Sequence, residues 1–134
     1  MRTRIGADHA IRVTDLPLKD HLRMFLERVP LSDEQLEEVR LTDPWTYANL
    51  AEAVEAWGFR LSQNSREFLS REDVARLWLE EEFRPVAQML RDSDLMGSGT
   101  VADAYMRVAS ERYRLMRTHE WSDEVIDRLR RELR

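Results

Sequence analysis

The segment from Ser70 to Leu95 constrains the fold more than any other part of the chain. It is the longest segment with helical periodicity, and its apolar residues cover more than half of the helix circumference. These residues are Val74, Leu77, Trp78, Leu79, Phe83, Val86, Met89 and Leu90. A surface helix needs only one apolar stripe, whereas a helix that is apolar over so wide an arc packs on two sides. The sequence therefore predicts a central helix surrounded by other helices.

This segment begins with helix-initiating residues and contains one helix-breaking residue. Ser70 can accept a hydrogen bond from a first-turn amide, and Glu72 and Asp73 place negative charge at the positive end of the helix dipole. Pro85 removes one backbone hydrogen bond from the middle of the segment. We therefore predict a long central helix with a kink near residues 81–82.

Shorter amphipathic helices are predicted on both sides of the central helix. Apolar residues recur at helical spacing after start signals at Asp15/Pro17, Ser32, Asp43/Pro44, Thr100 and Ser122. The predicted fold is therefore an all-α single domain, a bundle of five to six helices around the Pro-kinked central helix. This helical domain occupies residues 16–134, and residues 1–15 form an N-terminal tail or arm.

Local signals also set the predicted helix boundaries. Thr100 with Asp103 has the spacing of a capping box, in which each residue bonds the backbone amide of the other. Gly58 is a natural left-handed helix terminator. Residues 63–65 are typical of a turn, so we expect residues 59–69 to form an ordered loop.

The composition favours a cytoplasmic protein. The chain has no cysteine, which excludes a disulfide framework and a thiolate zinc site. No apolar run approaches the roughly 18–20 residues of a membrane span, and the N-terminus lacks a signal-peptide core. We therefore expect a cytoplasmic location and no membrane partner. The net charge of −5 disfavours a nucleic-acid partner bound through phosphate neutralisation.

The loop that follows the central helix is similar in spacing to an EF-hand calcium loop. The first, third, sixth and twelfth positions of such a loop are filled by Asp92, Asp94, Gly97 and Asp103. Met96 occupies the fifth position, where an oxygen ligand is required, and Asp103 is already explained as a capping residue. Since no histidine pair has the spacing of a helical zinc site, we predict no metal site.

The sequence contains no motif of a known catalytic site. It has no GxSxG elbow and no glycine-rich phosphate loop after a strand. The acidic run Glu80–Glu82 is typical of a solvated helix face. We therefore predict that the protein is not an enzyme, with no catalytic residues and no cofactor.

The segment Glu111–Trp121 combines planar cations with aromatic rings, which are typical of protein hot spots, anion sites and nucleic-acid stacking. The candidate binding residues are Arg112, Arg114, Arg117, His119 and Trp121. In the alternative interpretation, Tyr113 and Trp121 pack structurally while the arginines pair with Glu111 and Glu120.

The aromatic and proline landmarks of the chain resemble a known group of proteins. They are Leu41, Pro44, Tyr47, Leu50, Trp57, Trp78, the run Phe83-Arg84-Pro85-Val86, Leu90, Leu95, Thr100, the run Ala102-Asp103-Ala104-Tyr105, and Arg112-Tyr113. This pattern is similar to the helical C-terminal region of uncharacterised bacterial ParB-like proteins, which are described as chromosome-partitioning proteins. The Gly/Arg motifs of their nuclease-fold domain are missing here, so the resemblance transfers no functional residue. It implies an accessory helical module.

Two functions remain open on these grounds. The first is a non-enzymatic helical interaction module that docks a protein partner or forms a homodimer. The second is a nucleic-acid-associated regulator related to ParB-like partition proteins. The second function draws on the arginine-rich ends of the chain, with Arg2, Arg4, Arg128, Arg130, Arg131 and Arg134.

Overall fold

The computed structural model describes residues 17–133, and this part of the chain contains helices but no strand. Its helices are α1 (Leu18–Arg28), α2 (Asp33–Glu38), α3 (Tyr47–Ser65), α4 (Arg71–Leu77), α5 (Arg84–Asp92), α6 (Val101–Met116) and α7 (Asp123–Glu132). A 3₁₀ turn (Pro44–Thr46) precedes α3, and a π-helical segment (Trp78–Phe83) joins α4 to α5. The predicted all-α fold is confirmed. The predicted N-terminal arm, residues 1–15, lies outside the described residues.

Helices α4 and α5 and the π-helical segment form one continuous helix over residues 71–92, which we call the central helix. Ser70 caps it as predicted, since its hydroxyl oxygen accepts a hydrogen bond from the Asp73 amide at 3.1 Å. Trp78 and Leu79 are fully buried. The central helix contacts α3 through its first half and α6 through α5, so it is packed on more than one side.

The predicted kink takes the form of a π-helical turn. The Arg84 amide donates to the carbonyl oxygen of Leu79, five residues earlier, instead of the usual four. Pro85 has no amide hydrogen, and in a regular α-helix its ring would clash with the carbonyl of Glu81. A wider turn just before the proline relieves this clash, which explains why the irregular segment ends at residue 83.

Helix α3 is longer than the sequence predicts, and two local interpretations were wrong. Residues 59–65 are helical rather than a loop, and the helix ends where Arg66 adopts a left-handed conformation with φ of 58°. Gly58 does not terminate the helix but is buried inside it. A Cβ atom at Gly58 would lie 2.5 Å from Cγ1 of Val74. Glycine is therefore required by the close approach of α3 to α4 and not by the backbone conformation.

An aromatic cluster lies at the centre of the core. The ring centroid of Trp78 lies 5.2 Å from that of Phe83 and 5.8 Å from that of Tyr105, and the Phe83 and Tyr105 centroids are 5.5 Å apart. The predicted role of Trp78 as a core residue is confirmed by its complete burial. None of the helices in the described range combines the length and the apolar composition that crossing a membrane requires.

Candidate binding site

The five candidate residues from the sequence lie at the end of α6 and in the loop before α7, but they do not form one exposed patch. Arg112 is buried and Trp121 is partly buried. Arg114, Arg117 and His119 are exposed. The structure therefore separates a buried pair from three surface residues.

The buried pair is held together by a cation–π contact. The guanidinium carbon of Arg112 lies 4.2 Å from the centroid of the Trp121 ring. Only 5% of the Arg112 surface is exposed, and its Nε and Nη1 atoms have no hydrogen-bond partner among the described residues. Burial lowers the pKa of Arg112 from its ordinary value, and the charge of Glu82 opposes this effect. A guanidinium presents its N–H donors in one plane. The Trp121 ring lies below that plane, so it cannot accept hydrogen bonds from these donors.

Glu82 connects the central helix to α6 and to the following loop. Its Oε2 atom accepts hydrogen bonds from the Tyr105 hydroxyl at 2.9 Å and from the Trp121 Nε1 at 3.1 Å. The Tyr105 hydroxyl also accepts a hydrogen bond from Trp78 Nε1 at 3.4 Å. Burial, followed by the charge of Glu82, raises the pKa of Tyr105 far above its ordinary value. Glu82 is thus partly buried and bonded, unlike the solvated residue that the acidic run predicts.

The three surface residues make local contacts. Arg114 pairs with Glu111 at 2.6 Å, as the structural interpretation predicts. Arg117 ends α6 in a left-handed conformation and places its guanidinium carbon 5.4 Å from the Tyr113 ring centroid. The His119 ring stacks on Tyr113 with the centroids 4.9 Å apart. These contacts position His119 beside the cavity described next.

A cavity of about 220 Å³ lies between α3, the π-helical segment and α6, and we call it the arginine cavity. Arg60 and Arg112 line it together with Glu82 and His119. Burial, followed by the charges of Arg60 and Arg112, lowers the pKa of His119, so its imidazole is neutral near pH 7. Two arginines against one carboxylate leave one net positive charge. No local pattern indicated Arg60, because it is far in the chain from Glu82, Arg112 and His119.

A second cavity of about 230 Å³ lies between α3 and α4, and we call it the apolar groove. Its apolar lining comes from Val54, Gly58, Phe59, Leu69 and Val74. Beside it, the short loop before the central helix places Phe68 almost entirely in solvent, with 93% of its surface exposed. The exposed fraction of Phe59 is 64%. This region presents the most exposed large apolar side chains of the described residues.

Two carboxylates of the EF-hand-like loop, Asp92 and Asp103, are hydrogen-bonded within the chain. Asp103 forms the predicted capping box with Thr100, through bonds of 2.9 and 3.1 Å, and also accepts a hydrogen bond from the Thr42 amide at 3.0 Å. Asp92 accepts a hydrogen bond from the Gln88 amide group at 3.1 Å. Within residues 17–133, no group of three or more metal-ligating side chains comes together.

Comparisons with protein-family models, with curated proteins and with solved structures found no match to this chain. The resemblance to ParB-like proteins therefore stays a prediction. The functional proposals below are based on the geometry of the arginine cavity and the apolar groove, because function resides in sites and not in the fold alone.

Proposed function

We propose that the protein is a non-enzymatic helical interaction module that pairs with a second copy of itself through the apolar groove. The observation that carries the proposal is the position of Phe68. Phe68 is almost fully exposed and does not line the apolar cavity, whereas the next residue, Leu69, does. Contiguous exposed apolar surface marks interaction sites, and here the exposed Phe59 and the chain neighbour of Phe68, Leu69, both line the groove.

The proximity of the exposed Phe68 to the apolar groove favours a second copy of the chain as the occupant. A two-fold symmetric dimer uses the same patch on both subunits, so each patch must contain both halves of the contact. Phe68 precedes the groove residue Leu69 in the chain, so both halves of the contact lie in one region of the surface. A symmetric dimer would then insert Phe68 of each copy into the groove of the other.

The arginines at the rim of the groove are already hydrogen-bonded within the chain. Arg28 forms a two-point ion pair with Glu55, with bonds of 3.0 and 2.6 Å, and Arg71 donates to the backbone oxygen of Glu27 at 2.6 Å. Both guanidinium groups are therefore already hydrogen-bonded within the chain, and only that of Arg28 is paired with a carboxylate. This arrangement supports an apolar occupant in preference to a charged one.

The expected association is weak. Burial of one phenylalanine side chain contributes about 1.5–3 kcal/mol, so two symmetric insertions contribute about 3–6 kcal/mol. Association costs about 4 kcal/mol or more in lost translational and rotational freedom. The two insertions therefore exceed this cost by at most about 2 kcal/mol, and even a millimolar dissociation constant, which corresponds to about 4 kcal/mol, requires further contacts along the rim.

Sedimentation velocity from micromolar to millimolar concentration tests the proposal. We expect the wild-type mass to rise towards that of a dimer, and Phe68→Ser to stay monomeric. Ser62 lines the groove, so the larger side chain of Ser62→Trp should occupy it. This variant should also stay monomeric, although Phe68 is intact. Trp45→Ser is the matched control, since Trp45 is a half-exposed aromatic residue outside the groove lining, and this variant should associate like the wild type.

A wild-type protein that stays monomeric over this range would overturn self-pairing and leave a foreign protein as the occupant. Association that survives Phe68→Ser would place the interface elsewhere. Circular dichroism of each variant establishes that the helical fold is retained, so that loss of association is attributed to the surface.

A further inference from the structure

The arginine cavity contains a buried cation whose donors are not satisfied by the protein. Arg112 is 5% exposed, and neither Nε nor Nη1 has an acceptor among the described residues. Trp121 contacts the face of the guanidinium and leaves the in-plane donors unmet. Buried donors without acceptors are costly and rare in native proteins. Both atoms are covered by the protein, so an acceptor in the cavity would bond to them once the guanidinium turns towards it.

The nearest carboxylate does not fill this role. Glu82 already accepts hydrogen bonds from Tyr105 and Trp121. Within residues 17–133, neither Arg112 nor Arg60 forms an ion pair with a carboxylate. Two cations from different helices therefore line one cavity without an anionic partner in contact.

The remaining lining and the volume limit what can enter. Apart from its polar residues, the cavity is walled by Ala53, Ala56, Met106 and Ala109, which favour an apolar body. Since one water occupies about 30 Å³ in the liquid, a cavity of about 220 Å³ corresponds to about seven water-sized groups. A ligand of only a few carbon atoms fits this space.

We propose that the arginine cavity binds the carboxylate of a small monocarboxylic acid, with Arg112 and Arg60 holding the carboxylate and the alanine and methionine wall receiving the alkyl chain. The planar guanidinium fork matches the two coplanar oxygens of a carboxylate. The charge of the site favours a monoanion, because Arg60 and Arg112 against Glu82 leave one net positive charge. Glu82 would repel the second charge of a dianion such as phosphate. This inference does not depend on self-pairing through the apolar groove.

An NMR titration of the ¹⁵N-labelled protein with butyrate tests the proposal. We expect saturable shifts of the Arg60 and Arg112 Nε–Hε signals and of the His119 ring signals. Butyramide has the same shape without the charge and should produce none. At about pH 8, where inorganic phosphate is mainly a dianion, it should bind at least tenfold more weakly than butyrate at equal concentration.

Two variants separate a binding site from a merely structural arginine. Arg60→Gln removes the partly exposed cation, and since a hydrogen bond to a charged group is worth a factor of roughly ten or more, butyrate should bind about tenfold more weakly. Arg114→Gln is the matched control, because Arg114 lies on the same helix as Arg112 but pairs with Glu111 outside the cavity, and it should bind like the wild type.

Three results would overturn the proposal: absence of saturable shifts with butyrate, equal binding of butyramide, or equal weakening in the two variants. Phosphate that binds as tightly as butyrate would overturn it as well, since the charge argument would then fail. Circular dichroism and thermal melting establish that each variant keeps the wild-type fold, so a change in binding reports on the cavity.

Discussion

The guanidinium of Arg112 lies over the face of the Trp121 ring, 4.2 Å from its centroid, while the Nε1 of the same ring donates to Glu82. One indole thus contacts a cation through its face and an anion through its edge. The two ions belong to α6 and to the central helix, so Trp121 attaches the loop before α7 to both. This attachment depends on two different properties of the indole, and substitutions can separate them.

Trp121→Phe keeps an aromatic face for Arg112 but removes the donor to Glu82. Since a hydrogen bond to a charged group contributes about 1.5–3 kcal/mol and Trp121 is only partly buried, we expect the free energy of unfolding to fall by about 1–2 kcal/mol. Trp121→Ala should lower the free energy of unfolding further, because it also removes the aromatic face that contacts Arg112. Urea denaturation of both variants measures this order. Equal losses would show that the aromatic face contributes nothing, and an unchanged stability of Trp121→Phe would show that the hydrogen bond contributes nothing.

Trp78 is fully buried in the aromatic cluster with Phe83 and Tyr105. Trp78→Ala should lower the free energy of unfolding by about 3–5 kcal/mol, the range for deletion of a large buried aromatic side chain. The control is Trp45→Ala, which removes a half-exposed indole and should change stability by only about 0.5 kcal/mol. Urea denaturation that gives the two variants similar stability would contradict the assignment of Trp78 to the core.

Gly58 is a test of close helix packing. Replacement of a helical glycine by alanine is normally favourable by about 1 kcal/mol. Here the new methyl group would meet the Val74 side chain at 2.5 Å, and a β-branched side chain cannot easily turn away. Overpacking costs about 1–3 kcal/mol, so we expect Gly58→Ala to destabilise the protein by up to about 2 kcal/mol.

The sign of this effect should reverse once Val74 is shortened. A Val74→Ala background removes the two γ-carbons and leaves only the Cβ atom, 3.2 Å from the new methyl group. A shift of a few tenths of an ångström accommodates this contact, so Gly58→Ala should then stabilise the protein through helix propensity. Urea denaturation of the wild type, the two single variants and the double variant gives the coupling free energy between Gly58 and Val74. A Gly58→Ala variant that stabilises both backgrounds would show that α3 and α4 are not in close contact there.

Sequence predicted the features of this fold that depend on neighbouring residues. The capping box of Thr100 with Asp103 and the irregular turn before Pro85 are encoded within four or five positions, and both were predicted. Gly58 was misread because its neighbours resemble a helix end, whereas its real constraint is Val74, which is close only after α3 and α4 pack. A local pattern cannot contain that distance.

The candidate site was only partly predictable for the same reason. Arg112, His119 and Trp121 were selected because they share one short segment. Glu82 and Arg60 were missed because their relation to that segment exists only in the folded chain, where Glu82 bonds partners 23 and 39 residues away. The sequence also gave no sign that Arg112 would be buried, since arginine is among the residues least often found inside.

The pKa of His119 reports on the charge of the arginine cavity. Burial and then the positive charges of Arg60 and Arg112 lower it, while Glu82 acts in the opposite direction. Arg60→Gln should therefore raise the pKa of His119 towards its ordinary value, and Arg114→Gln should leave it unchanged. An NMR titration of the imidazole signals measures both, and identical pKa values in the wild type and Arg60→Gln would contradict the placement of Arg60.

The sign of the associated stability change follows from the same lowered pKa. The unfolded chain takes up the histidine proton near pH 6.5, its ordinary value, before the folded protein does. The contribution of His119 to the free energy of unfolding is therefore fully present above about pH 6.5. It is lost as the pH falls through the lowered pKa that His119 has in the folded protein. Thermal melts between neutral and mildly acidic pH should show a loss of stability that is smaller in Arg60→Gln.

A salt series separates the interaction module from the nucleic-acid-associated alternative. A protein that neutralises several phosphates loses affinity steeply as salt rises, because it releases condensed counterions. This chain carries a net charge of −5, and Arg130 faces Asp127 at 3.8 Å on α7, which weakens the basic character of the C-terminal helix. We therefore expect weak binding to mixed-sequence DNA at low salt. The logarithm of the binding constant should fall only slowly as the logarithm of the salt concentration rises. A slope that corresponds to several phosphate contacts, reduced in an Arg128/Arg131 double glutamine variant but not in Arg114→Gln, would favour the nucleic-acid function instead.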